Sequence, residues 1–113
     1  MLKVTNNEVY LTRGDNALLH ISARDSTGST YVPQDGDVVT LSVKKKVKDN
    51  DKLICKIQDI HTETGWDITI NPEDTSALSF GDYVYDVQLV GSNGWVDTII
   101  EPSTFTIGEE VTT

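Results

Sequence analysis

The sequence predicts an all-β chain folded as an antiparallel sandwich of about seven to eight short strands. Three observations predict it. Apolar residues recur at alternate positions in short β-branched runs, such as Val39, Leu41 and Val43 in VVTLSVKKK. Clusters of Gly, Asp, Asn and Ser interrupt these runs at close spacing. No stretch sustains a helical period. At 113 residues the chain is expected to form one domain, 1–113, long enough to bury a core without covalent staples.

The elements follow in order. Glu8–Thr12 (EVYLT) opens the pattern, and RGDN turns the chain. Ala17–Ala23 (ALLHISA) buries Leu19 and Ile21 and directs His20 to solvent. After DSTGS and QDGD comes Val38–Lys44, with Val39, Leu41 and Val43 in the core. A turn at Asp49-Asn50-Asp51 leads to Leu53–Ile60, whose alternation assigns Leu53, Cys55 and Ile57 to the core; Cys55 then reads as a small buried hydrophobe. Trp66–Ile70 buries Trp66, Ile68 and Ile70. In NPEDTSALS, Pro72 and the acids after it predict one helical turn that crosses between strands. Tyr83–Val90 places Tyr83, Tyr85, Val87 and Leu89 on one face and Val84, Asp86 and Gln88 on the other. Asn93-Gly94 is a hairpin signal, after which Trp95–Ile100 returns. EPS turns the chain once more, and Thr104–Ile107 closes the core with Phe105 and Ile107.

The tripeptide Arg13-Gly14-Asp15 also occurs in cell-adhesion loops. Between VYL and LLHIS it has what a tight strand connection needs, a glycine for positive φ and an Asp-Asn pair that turns the chain. The expectation is a turn.

Charge is unevenly distributed. Met1 to Lys56 holds all nine basic and seven acidic residues, net +2; Ile57 to Thr113 holds none and eleven, net −11. If that split survives folding, it supports head-to-tail contacts or the docking of a partner; the plainer reading is a soluble acidic surface. The mostly acidic balance predicts no nucleic-acid partner, because phosphate binding needs clustered Lys and Arg. The one basic cluster is Lys44, Lys45, Lys46, Lys48, Lys52 and Lys56. Lysines flanking a hairpin protect exposed strand edges. Lys44, Lys45, Lys46 and Lys48, with Trp95, form the candidate docking surface.

Motifs of catalysis are missing from the sequence. His20 and His61 stand apart, and there is no His-x-x-x-His, P-loop, G-x-S-x-G or G-x-G-x-x-G pattern. Asp49 and Asp51 lack the Gly and the distant Glu of a calcium loop. No catalytic residue, cofactor or metal is expected. One cysteine allows no internal disulfide, and no apolar run approaches the ~20 residues that span a bilayer, so no membrane association is expected. MLKVTNNEVY has no apolar leader segment, and synthesis in the cytoplasm is the expectation.

The most informative stretch is PEDTSALSFGDYVYDVQLVGSNGWVDTIIEPSTFTI. Immunoglobulin-like domains carry a Tyr near the start of the penultimate strand, its hydroxyl bonded back to the preceding corner. Tyr83, after Gly81 in LSFGD, fits that position, and Tyr85 stands where antibody domains keep a cysteine. The sandwich is therefore expected to be immunoglobulin-like.

Leu11, Gly14-Asp15, Gly36-Asp37, Asp74-Thr75, Leu78, Gly81, Tyr83, Tyr85-Asp86-Val87 and Phe105 before a closing EVT form a pattern over Val9 to Thr112. This pattern resembles small phage and prophage structural proteins of Gram-positive bacteria. It is similar in particular to the immunoglobulin-like N-terminal domain of the baseplate upper protein family. Members of that family continue into a helical stalk and receptor-binding parts, which the 113 residues do not include. The resemblance implies a non-enzymatic virion component of tail, baseplate or head, made in the host cytoplasm. It would dock to other virion proteins and to itself as a homo-oligomer.

A second reading is a surface-binding module for host glycan or protein. It requires exposed aromatics at loop tips, and Trp66, Trp95 and Tyr31 are the candidates.

Overall fold

A computed structural model describes residues 1–111. Thr112, the last residue of the family pattern, lies outside them. The strands are β1 Leu2–Thr5, β2 Glu8–Thr12, β3 Ala17–Ile21, β4 Val38–Lys44, β5 Ile54–Gln58, β6 Trp66–Ile70, β7 Gly81–Val90 and β8 Val96–Gly108; α1, Pro72–Thr75, is a single helical turn. They form two sheets: a large one in the order β1-β2-β8-β7-β4-β5 and a small one of β3 and β6. The chain is thus an all-β sandwich, as its alternating pattern predicts.

Core side chains come from the inward faces of both sheets. Val39, Leu41, Val43, Tyr83, Tyr85, Val87, Phe105 and Ile107 of the large sheet meet Leu19, Ile21, Trp66, Ile68 and Ile70 of the small one. Each such side chain contributes roughly 1.5–3 kcal/mol by leaving water. Tyr85 packs edge-on against Phe105, with ring centroids 5.8 Å apart and planes at 77°. His20 points outward, as expected, and its Nδ1 lies 2.7 Å from Asp67 Oδ1 across the β3–β6 ladder.

Four features depart from the sequence expectation. First, β1 exists. Asn6 and Asn7, at φ 51 and 68, form the two-residue turn that folds it onto β2. Paired left-handed residues are what a twisted hairpin requires. Second, β2 pairs with β8 in parallel, Val9 opposite Phe105 and Leu11 opposite Ile107, while every other ladder among the described residues is antiparallel.

Third, EPS is not a turn. Glu101, Pro102 and Ser103 lie inside the continuous strand β8, where the β7–β8 register shifts between Tyr85 and Val87 and again between Val87 and Gln88. Pro102 has no N–H to give to a ladder, and a bulge is where a strand tolerates that loss.

Fourth, the core assignment of β5 is off by one residue. Leu53, Cys55 and Ile57 are exposed, Ile57 to 68%, and Ile54 is buried instead. The ladder explains this. Ile54, Lys56 and Gln58 lie opposite the core residues Val43, Leu41 and Val39, so they share the core face. At this sheet edge a polar residue can reach a partner. Lys56 Nζ is 2.7 Å from Asp74, and Gln58 Nε2 donates to the Asp67 carbonyl at 3.0 Å. Asp74 is the third residue of α1, and its carboxylate also accepts the Asn71 N–H at 2.7 Å, capping the turn. An inward-facing charge on an edge strand also opposes edge-to-edge association.

Candidate functional site

The Arg-Gly-Asp segment is a structural turn between β2 and β3. Gly14 adopts φ 84, and the Asp15 N–H bonds the Thr12 carbonyl at 3.1 Å. The Arg13 guanidinium is engaged inside the molecule. It donates to Glu110 at 2.9 Å and to the Leu78 carbonyl at 3.2 Å, and it lies 4.2 Å from the Phe80 ring centre. An adhesion loop would present that group to solvent.

The corner residues sit at the start of β7. Gly81 opens the strand with φ 133, and the Tyr83 hydroxyl donates to the Ser79 carbonyl at 2.7 Å. The Lys45 ammonium covers the Tyr83 ring at 4.5 Å from its centre and donates to the Asp82 carbonyl at 3.2 Å.

The structure does not bring the lysines and Trp95 onto one surface. Val38 pairs with Val90, beside the β7–β8 hairpin tip that carries Trp95, whereas Lys44 pairs with Val84. The two groups therefore occupy opposite ends of the β4–β7 ladder, about 20 Å apart at a strand rise of ~3.3 Å per residue. Lys45, Lys46 and Lys48 are exposed in the loop that follows β4, while Lys44 is half-buried and lines a hollow on the outer face of the large sheet. The sequence split of charge is partly interleaved in space, because Lys56 pairs with Asp74 and Arg13 with Glu110.

At the other end, Trp95 and Tyr31 line the same cleft of about 410 Å³. Trp66, the third aromatic candidate, is fully buried in the core. Trp95 is 72% exposed, yet the chain around it is rigidly bonded. Gly91 N–H donates to the Trp95 carbonyl at 2.8 Å, Gly94 N–H to the Gly91 carbonyl at 2.9 Å, and Trp95 N–H to Asn93 Oδ1 at 3.0 Å.

The cleft wall opposite is built around Asp37, which is 2% exposed. Its carboxylate accepts the Tyr31 hydroxyl at 2.6 Å and the Gln34 N–H at 2.9 Å, and the Ser92 N–H also bonds it. One buried acid thus ties the loop before β4 to the hairpin after β7. Gly36 permits this approach: a Cβ there would lie 2.8 Å from Ser92 Cβ, and its φ is 92.

Burial alone would push the Asp37 carboxyl up, but the Tyr31 hydroxyl and the Gln34 and Ser92 amides outweigh it and hold it below the ordinary range. The same bond, with burial and the Asp37 charge, pushes the Tyr31 phenol up to about 12. Asp25, also on the cleft, is held low by the Thr27 hydroxyl and the Thr27 and Ser29 amides. Asp97 is the third acid of the lining, and Arg24, bonded to the Gly28 carbonyl at 3.0 Å, is its one base. The cleft therefore offers an aromatic wall and an excess of acceptors, which suits a ligand rich in donors or positive charge.

Sequence reasoning named both aromatics, but it placed Asp37 only in the resemblance pattern and not in the site. Its signal was only a Gly-Asp pair in a polar turn, and burial of that acid follows from tertiary packing. Among the described residues no group of three or more His, Cys, Asp or Glu is arranged to hold a metal ion, and no helix is long and apolar enough to cross a membrane. No protein-family model matches the chain, and no curated protein matches it.

Proposed function

We propose that the chain is an immunoglobulin-like, non-enzymatic structural domain of a phage or prophage particle, docking to other virion proteins and to itself. The order β8-β7-β4-β5 facing β3-β6 supports the immunoglobulin-like reading, since it matches the G-F-C-C′ sheet packed on strands B and E. The Tyr83–Ser79 bond supports it too, as a tyrosine corner. Resemblance to the baseplate upper protein family supports the place in a virion.

The observation that carries the docking reading is Trp95. A large aromatic 72% exposed on a hydrogen-bonded hairpin tip is what an interface anchor requires, because the backbone that carries it is ordered before binding. To test it, wild-type and Trp95→Ala chains are supplied to a producing strain that lacks the native copy. The reading expects the wild type in purified particles and the variant depleted from them at equal lysate levels. Equal incorporation would remove Trp95 from the docking surface.

A second reading, a surface-binding module for host glycan or protein, draws on the fact that Tyr31 and Trp95 share one cleft. Trp66 is shielded in the core, so a change in emission on adding ligand reports Trp95. Cell-wall sugars shift that emission under the second reading and leave it unchanged under the first.

A further inference from the structure

We propose that the Trp95 cleft receives the lysine hairpin of a second copy of this chain, in a head-to-tail contact. The inference takes its biological sense from the docking reading and names the partner. It is carried by two features that complement each other and sit at opposite ends of the β4–β7 ladder.

The hairpin between β4 and β5 holds Lys45, Lys46, Lys48 and Lys52 against Asp49 and Asp51. Neither Lys46 nor Lys48 takes part in an ion pair among the described residues. Val47, between them, is 57% exposed. The tip therefore reads cation, apolar, cation. The cleft offers the reverse: the exposed indole of Trp95 flanked by Asp25 and Asp97, with Arg24 tied to its own loop. Its volume of about 410 Å³ falls within the ~300–1,000 Å³ of a ligand pocket and accommodates a few side chains. Lysine ammonium groups over Trp95, with carboxylates beside them, add a cation–π contact to charge attraction.

The geometry has a consequence for assembly. The two patches differ and lie apart on each copy, so one contact leaves a hairpin free on one subunit and a cleft free on the other. Such a heterologous contact builds rings or open filaments, not an isolated two-fold dimer. Ionic strength weakens it, because the charges of Lys46 and Lys48 are exposed to solvent before binding.

Sedimentation velocity over a concentration series tests the contact. At low salt the wild type is expected to grow past a dimer with concentration and to fall back toward monomer in high salt. Two variants are made: Lys46→Glu with Lys48→Glu in the hairpin, and Trp95→Ala with Asp97→Asn in the cleft. Each alone is expected to associate more than about tenfold more weakly. Mixed, they should give a one-to-one dimer and nothing larger, because only one intact hairpin and one intact cleft meet. Circular dichroism melts check that both variants fold; if one does not, Val47→Asp replaces the hairpin pair, or Asp97→Asn alone the cleft pair. A wild type monomeric at every concentration, variants that assemble normally, or a mixture that stays monomeric overturns the proposal. A monomeric chain whose Trp95 emission responds to chitobiose assigns the cleft to sugar instead and also overturns it. A chain that is monomeric in solution yet present in particles would sink this contact and leave the docking reading standing; assembly in solution with absence from particles would do the opposite.

Discussion

The Tyr31 hydroxyl and the Asp37 carboxylate meet at 2.6 Å within the loop before β4, and the same carboxylate takes the Ser92 N–H of the hairpin that displays Trp95. Asp37 is almost wholly buried, so its removal leaves donors without a partner. Asp37→Ala is expected to cost about 2–3 kcal/mol, measured by urea unfolding. Tyr31→Phe removes one bond and is expected to cost about 1 kcal/mol. A loss from Asp37→Ala no larger than from Tyr31→Phe would mean that the amides of Gln34 and Ser92 find other acceptors.

The same pair sets a pH dependence. The folded Asp37 carboxyl is held below its unfolded value, so the unfolded chain binds the proton more readily. The associated stability is present above the ordinary carboxylate pKa of ~3.9 and is lost as pH falls through the folded value. Asp74, held low beside Lys56 despite its burial, acts in the same direction. Melting temperature should therefore drop steeply below about pH 4, and less steeply in Asp37→Asn. For Tyr31 the sign is opposite: its folded pKa, about 12, is raised, so its contribution holds below ~10 and fades as pH rises through 12. Ultraviolet titration should show Tyr31 as a late phenol beside Tyr85, which burial also pushes up, and Tyr31→Phe should remove one of the two.

Tyr83→Phe is expected to cost about 1 kcal/mol, because it deletes the bond to the Ser79 carbonyl while keeping the ring under Lys45. Denaturant unfolding measures this. A neutral substitution would show that the corner is held by ring packing alone.

Gly36→Ala tests the close approach that closes the cleft. The added methyl meets Ser92 at 2.8 Å and φ 92 strains an alanine, so a loss of about 1–3 kcal/mol is expected. Trp95 emission should change with it, as the hairpin shifts away from the loop.

Cys55 is exposed on the outer face of β5. A maleimide should label it fully in the native state, and Cys55→Ser should change stability by less than about 0.5 kcal/mol. Labelling that needs denaturant would restore the buried assignment read from alternation.

That assignment shows where sequence patterning stops. In LICKIQDI both alternating sets contain apolar residues, and the more apolar set, Leu53, Cys55 and Ile57, is the exposed one. Choosing between the sets needed the β4 register and the position of Asp74, neither of which is local. The strands with a clean alternation, β4, β6 and β7, were legible together with their buried faces, since period two admits one solution there. The first hairpin was not legible, because LKVT has too little apolar pattern to read as a strand. At the candidate site, Trp95 and Tyr31 were visible as residues. Their shared cleft was not, because Asp37 joins segments about 60 residues apart in the chain.

The most direct test of the central claim is quantitative mass spectrometry of phage particles purified after induction of the source strain. The account predicts peptides of this chain at a fixed ratio to the major capsid or tail protein. Peptides plentiful in the lysate but absent from clean particles would contradict it.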